Sequence, residues 1–140
     1  DKYYNSFDIV YCCNVLLHLP NVIKPIENLL NLSKKYCFIR TLVSDHTHLS
    51  KYLYSDSFDV NGEPDNFVHE NTYSIDYIEN LINSHGSYKI EYIEDEYDVK
   101  AINKEFLDYD SVQDAVTKSI DGMQIAGSKV FEWKWIKVTK

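Results

Sequence analysis

Glycine is scarce in this chain, with four residues in 140. Neither a GxGxxG turn nor a Walker loop is present, so the usual cradles for a nucleotide's phosphates are not in this sequence. Cysteine is equally sparse. Cys12, Cys13 and Cys37 are odd in number, two are adjacent, and none falls in a CxxC spacing. That argues against a disulfide framework and leaves a zinc site without support. No apolar run reaches the roughly 18 residues that suggest a membrane span, and no stretch reads as a signal peptide. A reducing cytoplasm is the compartment expected from these features. Positive charge is short as well: 14 Lys and Arg face 22 Asp and Glu, for a formal net charge of -8. This balance argues against nucleic acid or an anionic membrane as the main partner.

What is present suits an ordinary globule. Apolar residues make up 44% of the chain and aromatics 14%, mostly tyrosine. Tyrosine combines apolar area with a polar tip and suits half-buried walls. The length is enough for one domain with a real core, and a single domain over 1–140 is expected.

The order of elements follows from periodicity. "FDIVYCC", 7–13, is a near-continuous apolar run, as in a strand buried on both faces of a parallel sheet. Val22, Ile23, Ile26, Leu29 and Leu30 share one helical face, with Pro25 tolerated in the first turn. "KKYCFIRTLV", 34–43, reads as a second strand, which completes a βαβ unit. Residues 44–72 lack clear periodicity and carry the turn signal "NGEP". A loop of that length in a small domain is expected to be a lid or a binding loop. Ser74 is an N-cap for a helix that ends near Gly86. Residues 88–99 alternate as a strand with one wet face, 103–126 are expected to be mostly helical, and 129–138 form a final strand. The helix over 103–126 uses Phe106, Leu107, Val112, Val116 and Ile120 as its apolar positions.

The stretch "FDIVYCCNVLLHLPN" resembles the fourth strand and following turn of class I S-adenosylmethionine-dependent methyltransferases. Phe7, Asp8, Leu16, His18, Leu19 and Pro20 carry the match. The downstream order resembles the same family, with "KVFEWKWIKVTK" as its antiparallel closing strand. The resemblance implies an α/β fold: a partial doubly wound sheet of about four strands, mixed, with an antiparallel last strand and helices on the faces. It implies the C-terminal half of that domain. The glycine-rich loop and the acidic residue that hold the cofactor have no counterpart here, so the chain is expected to be an inactive fragment of the enzyme.

By resemblance, S-adenosylmethionine is the cofactor, with Cys12, Cys13 and Asn14 flanking its sulfonium end. His18 stands one turn further on as a base or hydrogen-bonding group, since histidine titrates near neutrality. The plainer reading of His18 is a turn cap, of the cysteines small buried side chains, and of Asn14 a residue that shapes the turn. Arg40 and Asp45 lie on the same rim as Asn14 and, with His69 and Tyr73 of the loop, are candidate substrate contacts. "DHTH", 45–48, invites a metal, but the set needs further ligands and only Asp65, His69 and Glu70 of the same loop are available by sequence, so no metal is assigned. The acceptor is expected to be a small molecule. The alternative function is a non-catalytic α/β module for binding or oligomerisation. The first strand lacks a neighbour on its outer side, so a homodimer through that edge is expected, or an added strand from residues 1–6 or another chain.

Overall fold

The computed structural model describes residues 2–95, 118–120, 123–126 and 129–140. β1 (Phe7–Cys13) runs parallel to β2 (Ser33–Val43), with Val10 beside Cys37 and Cys12 beside Ile39. Between them lie a single 3₁₀ turn (Leu16–His18) and α1 (Ile23–Leu32). Asn21 Oδ1 accepts the N–H of Ile23 at 2.8 Å, which satisfies one of the orphan donors at the start of α1. Pro25 sits in the first turn, where it has no bond to break. At the other end the Ser33 hydroxyl donates to Leu30 O at 3.1 Å, and the chain passes directly into β2.

β8 (Lys129–Thr139) is antiparallel to β2, with Ile39 opposite Ile136 and Cys37 opposite Val138. It is also antiparallel to β5 (Lys89–Glu94), with Tyr92 opposite Ile136 and Ile90 opposite Val138. The order β1-β2-β8-β5 is thus a mixed sheet with one parallel pair. α2 (Ile75–Asn83) precedes β5, and its N-cap Ser74 accepts the N–H of Tyr77 at 3.2 Å. Ile26 and Leu30 of α1 and Ile78 and Ile82 of α2 pack against Cys37, Ile39, Ile136 and Val138, all at 1% exposure or less. Both described helices therefore cover one face of the sheet. On the opposite face of β1, Ile9 is 58% exposed and Tyr11 72%.

Three features depart from the expectation. Residues 118–120 and 123–126, assigned to a helix by sequence, are strands β6 (Lys118–Ile120) and β7 (Met123–Ala126). β7 pairs with the first residues of β8, Ala126 opposite Lys129 and Gln124 opposite Phe131. This stretch of β8 lies before the segments that bond β2 and β5, so ladder bonds there outweigh a marginal helical pattern that contains Gly122 and Gly127. The rest of that expected helix, including Phe106, Leu107, Val112 and Val116, lies outside the described residues. Within 44–72 the chain forms a hairpin of β3 (Lys51–Leu53) and β4 (Phe67–His69). Its far end is closed by the Asp59 carboxylate, which accepts the N–H groups of Asn61 and Glu63 at 2.8 and 2.9 Å; Gly62 there takes φ +83°. Finally, residues 2–5 form a turn tied to the end of α1 through Asn5 N–H to Asn31 O at 2.7 Å, so they add no strand to β1.

Two core groups make the fold sensitive to alkali. Burial pushes the Cys37 thiol from 9.0 up to about 12, helped by the nearby Cys12 thiol. Burial likewise pushes Tyr73 from 10.0 up to about 12. Between those limits the unfolded chain releases protons that the folded chain keeps, so stability falls as pH rises. Urea unfolding midpoints are predicted to be flat up to about pH 9 and to drop progressively toward about pH 12. Cys37→Ala should make that drop shallower, and an unchanged drop in this variant would contradict the assignment to Cys37.

Candidate functional site at the carboxyl ends of β1 and β2

The sheet ends in a cluster built around Arg40. β1 stops at Cys13, and Asn14 turns the chain with φ +58°. Asparagine is among the few non-glycine residues that accept this left-handed conformation. The Asn14 N–H donates to Arg40 O at 3.1 Å, which keeps the turn attached to β2. Arg40 Nη1 donates to Asn14 Oδ1 at 2.5 Å. Its Nε donates to Asp95 Oδ2 at 2.9 Å, and Nη2 reaches the same carboxylate oxygen. The guanidinium lies over the Trp133 ring, 4.1 Å from the centroid. With side chains only 15% and 18% exposed, Arg40 and Asp95 form a charge-assisted pair of the stronger kind.

A second set of bonds fixes the 3₁₀ turn that follows. Tyr73 is fully buried, and its hydroxyl donates to Leu16 O at 2.9 Å. Asn71, 1% exposed, donates its N–H to Leu17 O and its Nδ2 to Leu19 O, each at 2.9 Å. His18 Nδ1 lies 2.9 Å from His69 O. Because a carbonyl only accepts, the neutral His18 ring carries its proton on Nδ1 and keeps a lone pair on Nε2. The β3–β4 hairpin is thereby stitched to the turn after β1.

The candidate residues fall into distinct places. Cys13, Asn14 and Arg40 meet at the rim, with Cys13 Sγ 3.6 Å from Asn14 Oδ1. His18 and His69 are joined by their hydrogen bond. Cys12 is half-buried, and burial raises its thiol pKa, which keeps it protonated and a poor nucleophile. Tyr73 points into the core and supports the turn. Asp45 follows the end of β2 and lines a cleft of about 90 Å³ with Val43, Ser44, Ile75, Met123, Phe131 and Glu132. Behind Glu132, the buried Lys134 donates to Glu94 at 2.8 Å and pairs with Glu132 at 2.9 Å. Burial alone would lower its ammonium, but the two carboxylates hold it above its ordinary value. Among the described residues no group of three or more His, Cys, Asp or Glu could hold a metal ion. No helix among them is long and apolar enough to cross a membrane.

Sequence reasoning missed Asp95, Trp133 and Asn71. Asp95 reads as one acid among five on a wet strand face, and Trp133 as sheet cover. Asn71 had one usable signal: a polar side chain just before the N-cap of α2, at a place where the chain must re-enter the core.

The turn at Asn14 can be tested through its backbone. Asn14→Ala forces a Cβ-bearing residue without a local hydrogen-bonding tip into the left-handed region and is predicted to cost about 1–2 kcal/mol. Asn14→Gly keeps the backbone fit and loses only the acceptor for Arg40, so it should cost less. Equal losses in urea unfolding would show that φ at this position is not what Asn14 contributes.

No protein-family model matches the chain, and no curated protein matches its sequence. A solved structure, a S-adenosylmethionine-dependent methyltransferase from Mesorhizobium loti, matches it with a TM-score of 0.50 at 11% sequence identity. The match covers 98% of this chain and 64% of that one, so the chain spans less than two thirds of the length of its structural neighbour. At this identity the likeness speaks to the fold, and the mixed α/β sheet described here is the fold it shares with that methyltransferase.

Proposed function

We propose that this chain carries the acceptor side of an enzyme that transfers a methyl group from S-adenosylmethionine to a small molecule. The observation that carries the reading is the strand order β1-β2-β8-β5, with β8 antiparallel, which sets Asn14 and Arg40 together at the carboxyl end of β1. Ligands of open α/β sheets bind in that position. The shared fold supports the same reading.

The residues fit one end of the cofactor. Cys12, Cys13 and Asn14 supply carbonyls and small polar side chains beside which a sulfonium is tolerated. Arg40 would repel such a cation, but the Asp95 carboxylate bonded to it offsets the charge. The nucleoside end needs backbone that approaches closely through a glycine-rich turn, and these 140 residues hold none. The chain alone is therefore assigned no turnover. When bound, the cofactor supplies an electrophilic methyl group. The chain's own contribution is to position the acceptor with Arg40, Asp45 and His69, to exclude water with the β3–β4 hairpin, and to offer His18 Nε2 for a proton. Tyr73 contributes by holding the turn on which His18 stands. The free thiols favour a reducing cytoplasm as its compartment.

This reading predicts weak, local binding. In a titration with S-adenosylhomocysteine followed by NMR, the amides of Cys13 and Asn14 should shift saturably with roughly millimolar affinity. No shift at these amides would remove the cofactor assignment. Micromolar or tighter binding would show that the nucleoside cradle lies within the chain after all.

One observation favours an assembly role alongside this. Among the described residues β1 pairs only with β2, and Phe7, Ile9 and Tyr11 on one face of it are 47%, 58% and 72% exposed. We propose that its outer edge takes β1 of a second copy, antiparallel about Val10. That register sets Ile9 against Tyr11 of the second copy, a favourable β-branched and aromatic pair, and Asp8 against Cys12, so that no like charges meet. Sedimentation should give a dimer that Ile9→Lys converts to monomer. A parent chain that stays monomeric at every concentration would contradict it.

A further inference from the structure

We propose that the cleft at the end of β2 is a site for a small protonated amine, and that the acceptor of the reaction proposed above belongs to this class; the second half rests on that reading. The cleft combines two kinds of wall. Val43, Ile75, Met123 and Phe131 are apolar, while Asp45 and Glu132 bring carboxylates. Apolar walls disfavour a hydrated metal ion, and carboxylates disfavour an anion. An alkylammonium satisfies both, with its methylenes on the walls and its N–H groups on the oxygens.

The charge count points the same way. Lys134 is the cation bonded to Glu132, and it is shared with Glu94. With Asp45 added, and Arg40 paired with Asp95, the described carboxylates around this end of the sheet outnumber the described cations. α2 begins at Ile75, and a helix N-terminus disfavours a cation. That opposing effect is moderated by Asp76 in its first turn. Ser44 Oγ donates to His46 O at 2.5 Å, so toward a ligand it offers an acceptor.

A further polar group lies on the strand that leads into the cleft. Thr41 lies one rung before Val43, on the same face of β2 by strand alternation. Its Oγ1 is buried and has no hydrogen-bond partner among the described residues. A buried hydroxyl left unpaired is costly, so this end of the sheet retains polar capacity that the described residues do not use. At about 90 Å³ the cleft holds the volume of about three liquid waters. It therefore takes the amine-bearing end of an acceptor and leaves the remainder outside.

The test is an NMR titration of the whole chain with n-propylammonium chloride, with sodium propionate as the control. Propylammonium should shift the amides of Ser44, Asp45 and Ile75 saturably, and propionate should not. Asp45→Asn, at an exposed position that leaves the fold intact, should weaken the binding by about threefold, as for a partly exposed charge pair. Absence of saturable shifts, equal shifts with propionate, or unchanged affinity in Asp45→Asn would each overturn the proposal. The cofactor reading is reported by Cys13 and Asn14 with a different ligand. Amine binding without a response at those amides would leave the site standing and remove only its place in methyl transfer.

Discussion

The placement of β8 between β2 and β5 is the constraint from which the rest of the structure follows. Along its C-terminal half β8 has a partner on each side, and the three strands share the layer of Cys37, Ile39, Ile136, Val138, Ile90 and Tyr92 that the two helices cover. That insertion brings Arg40 and Asp95, 55 residues apart in sequence, to one point across the sheet. Trp133 of β8 is the surface on which the guanidinium rests. Hydrophobic burial sets the register on the covered face, and on the other face the same register sets an ion pair. The pair in turn fixes Asn14 and the end of β1. Packing of the core and geometry of the rim are therefore one problem for this sequence, solved by a single strand.

The rim would still be loose without the region after β2. Its connection to the turn is polar and specific: Asn71, Tyr73 and His18 satisfy or engage backbone groups at Leu16, Leu17, Leu19 and His69. A 3₁₀ turn has few internal bonds, and these carbonyls would otherwise rely on water. Asn71 and Tyr73, which close it, lie between the β3–β4 hairpin and α2. His18 stands on this anchored part of the chain.

Much of this was legible in the sequence, for physical reasons that can be named. The alternation in β8 reports burial directly, because side chains alternate along a strand; the apolar run of β1 announces the strand but not its surroundings, since Phe7, Ile9 and Tyr11 are exposed and the expected burial on both faces is not met. Ser74 announced α2 because its hydroxyl caps the helix. Val22, Ile26 and Leu30 gave the covered face of α1 through their spacing. The failures share a different cause. β3, β4, β6 and β7 are three or four residues long, too short for periodicity to show, and each exists because a distant partner offers ladder bonds. Asn71 and Asp95 are read from sequence as ordinary solvated polar residues, yet one is buried against carbonyls and the other pairs with Arg40. Tyr73 was read as facing a pocket because tyrosine suits one; nothing local shows that its hydroxyl meets Leu16 O inside the core.

The central claim, that β8 is an interior strand bonded on both sides, is tested most directly by amide hydrogen exchange along 134–139. Antiparallel ladders send successive N–H groups to alternate neighbours. If β2 and β5 both flank β8, every amide from Lys134 to Val138 should exchange slowly, without alternation. If slow and fast amides alternate, one neighbour is missing, and the ion pair, the rim and the site built on them lose their foundation.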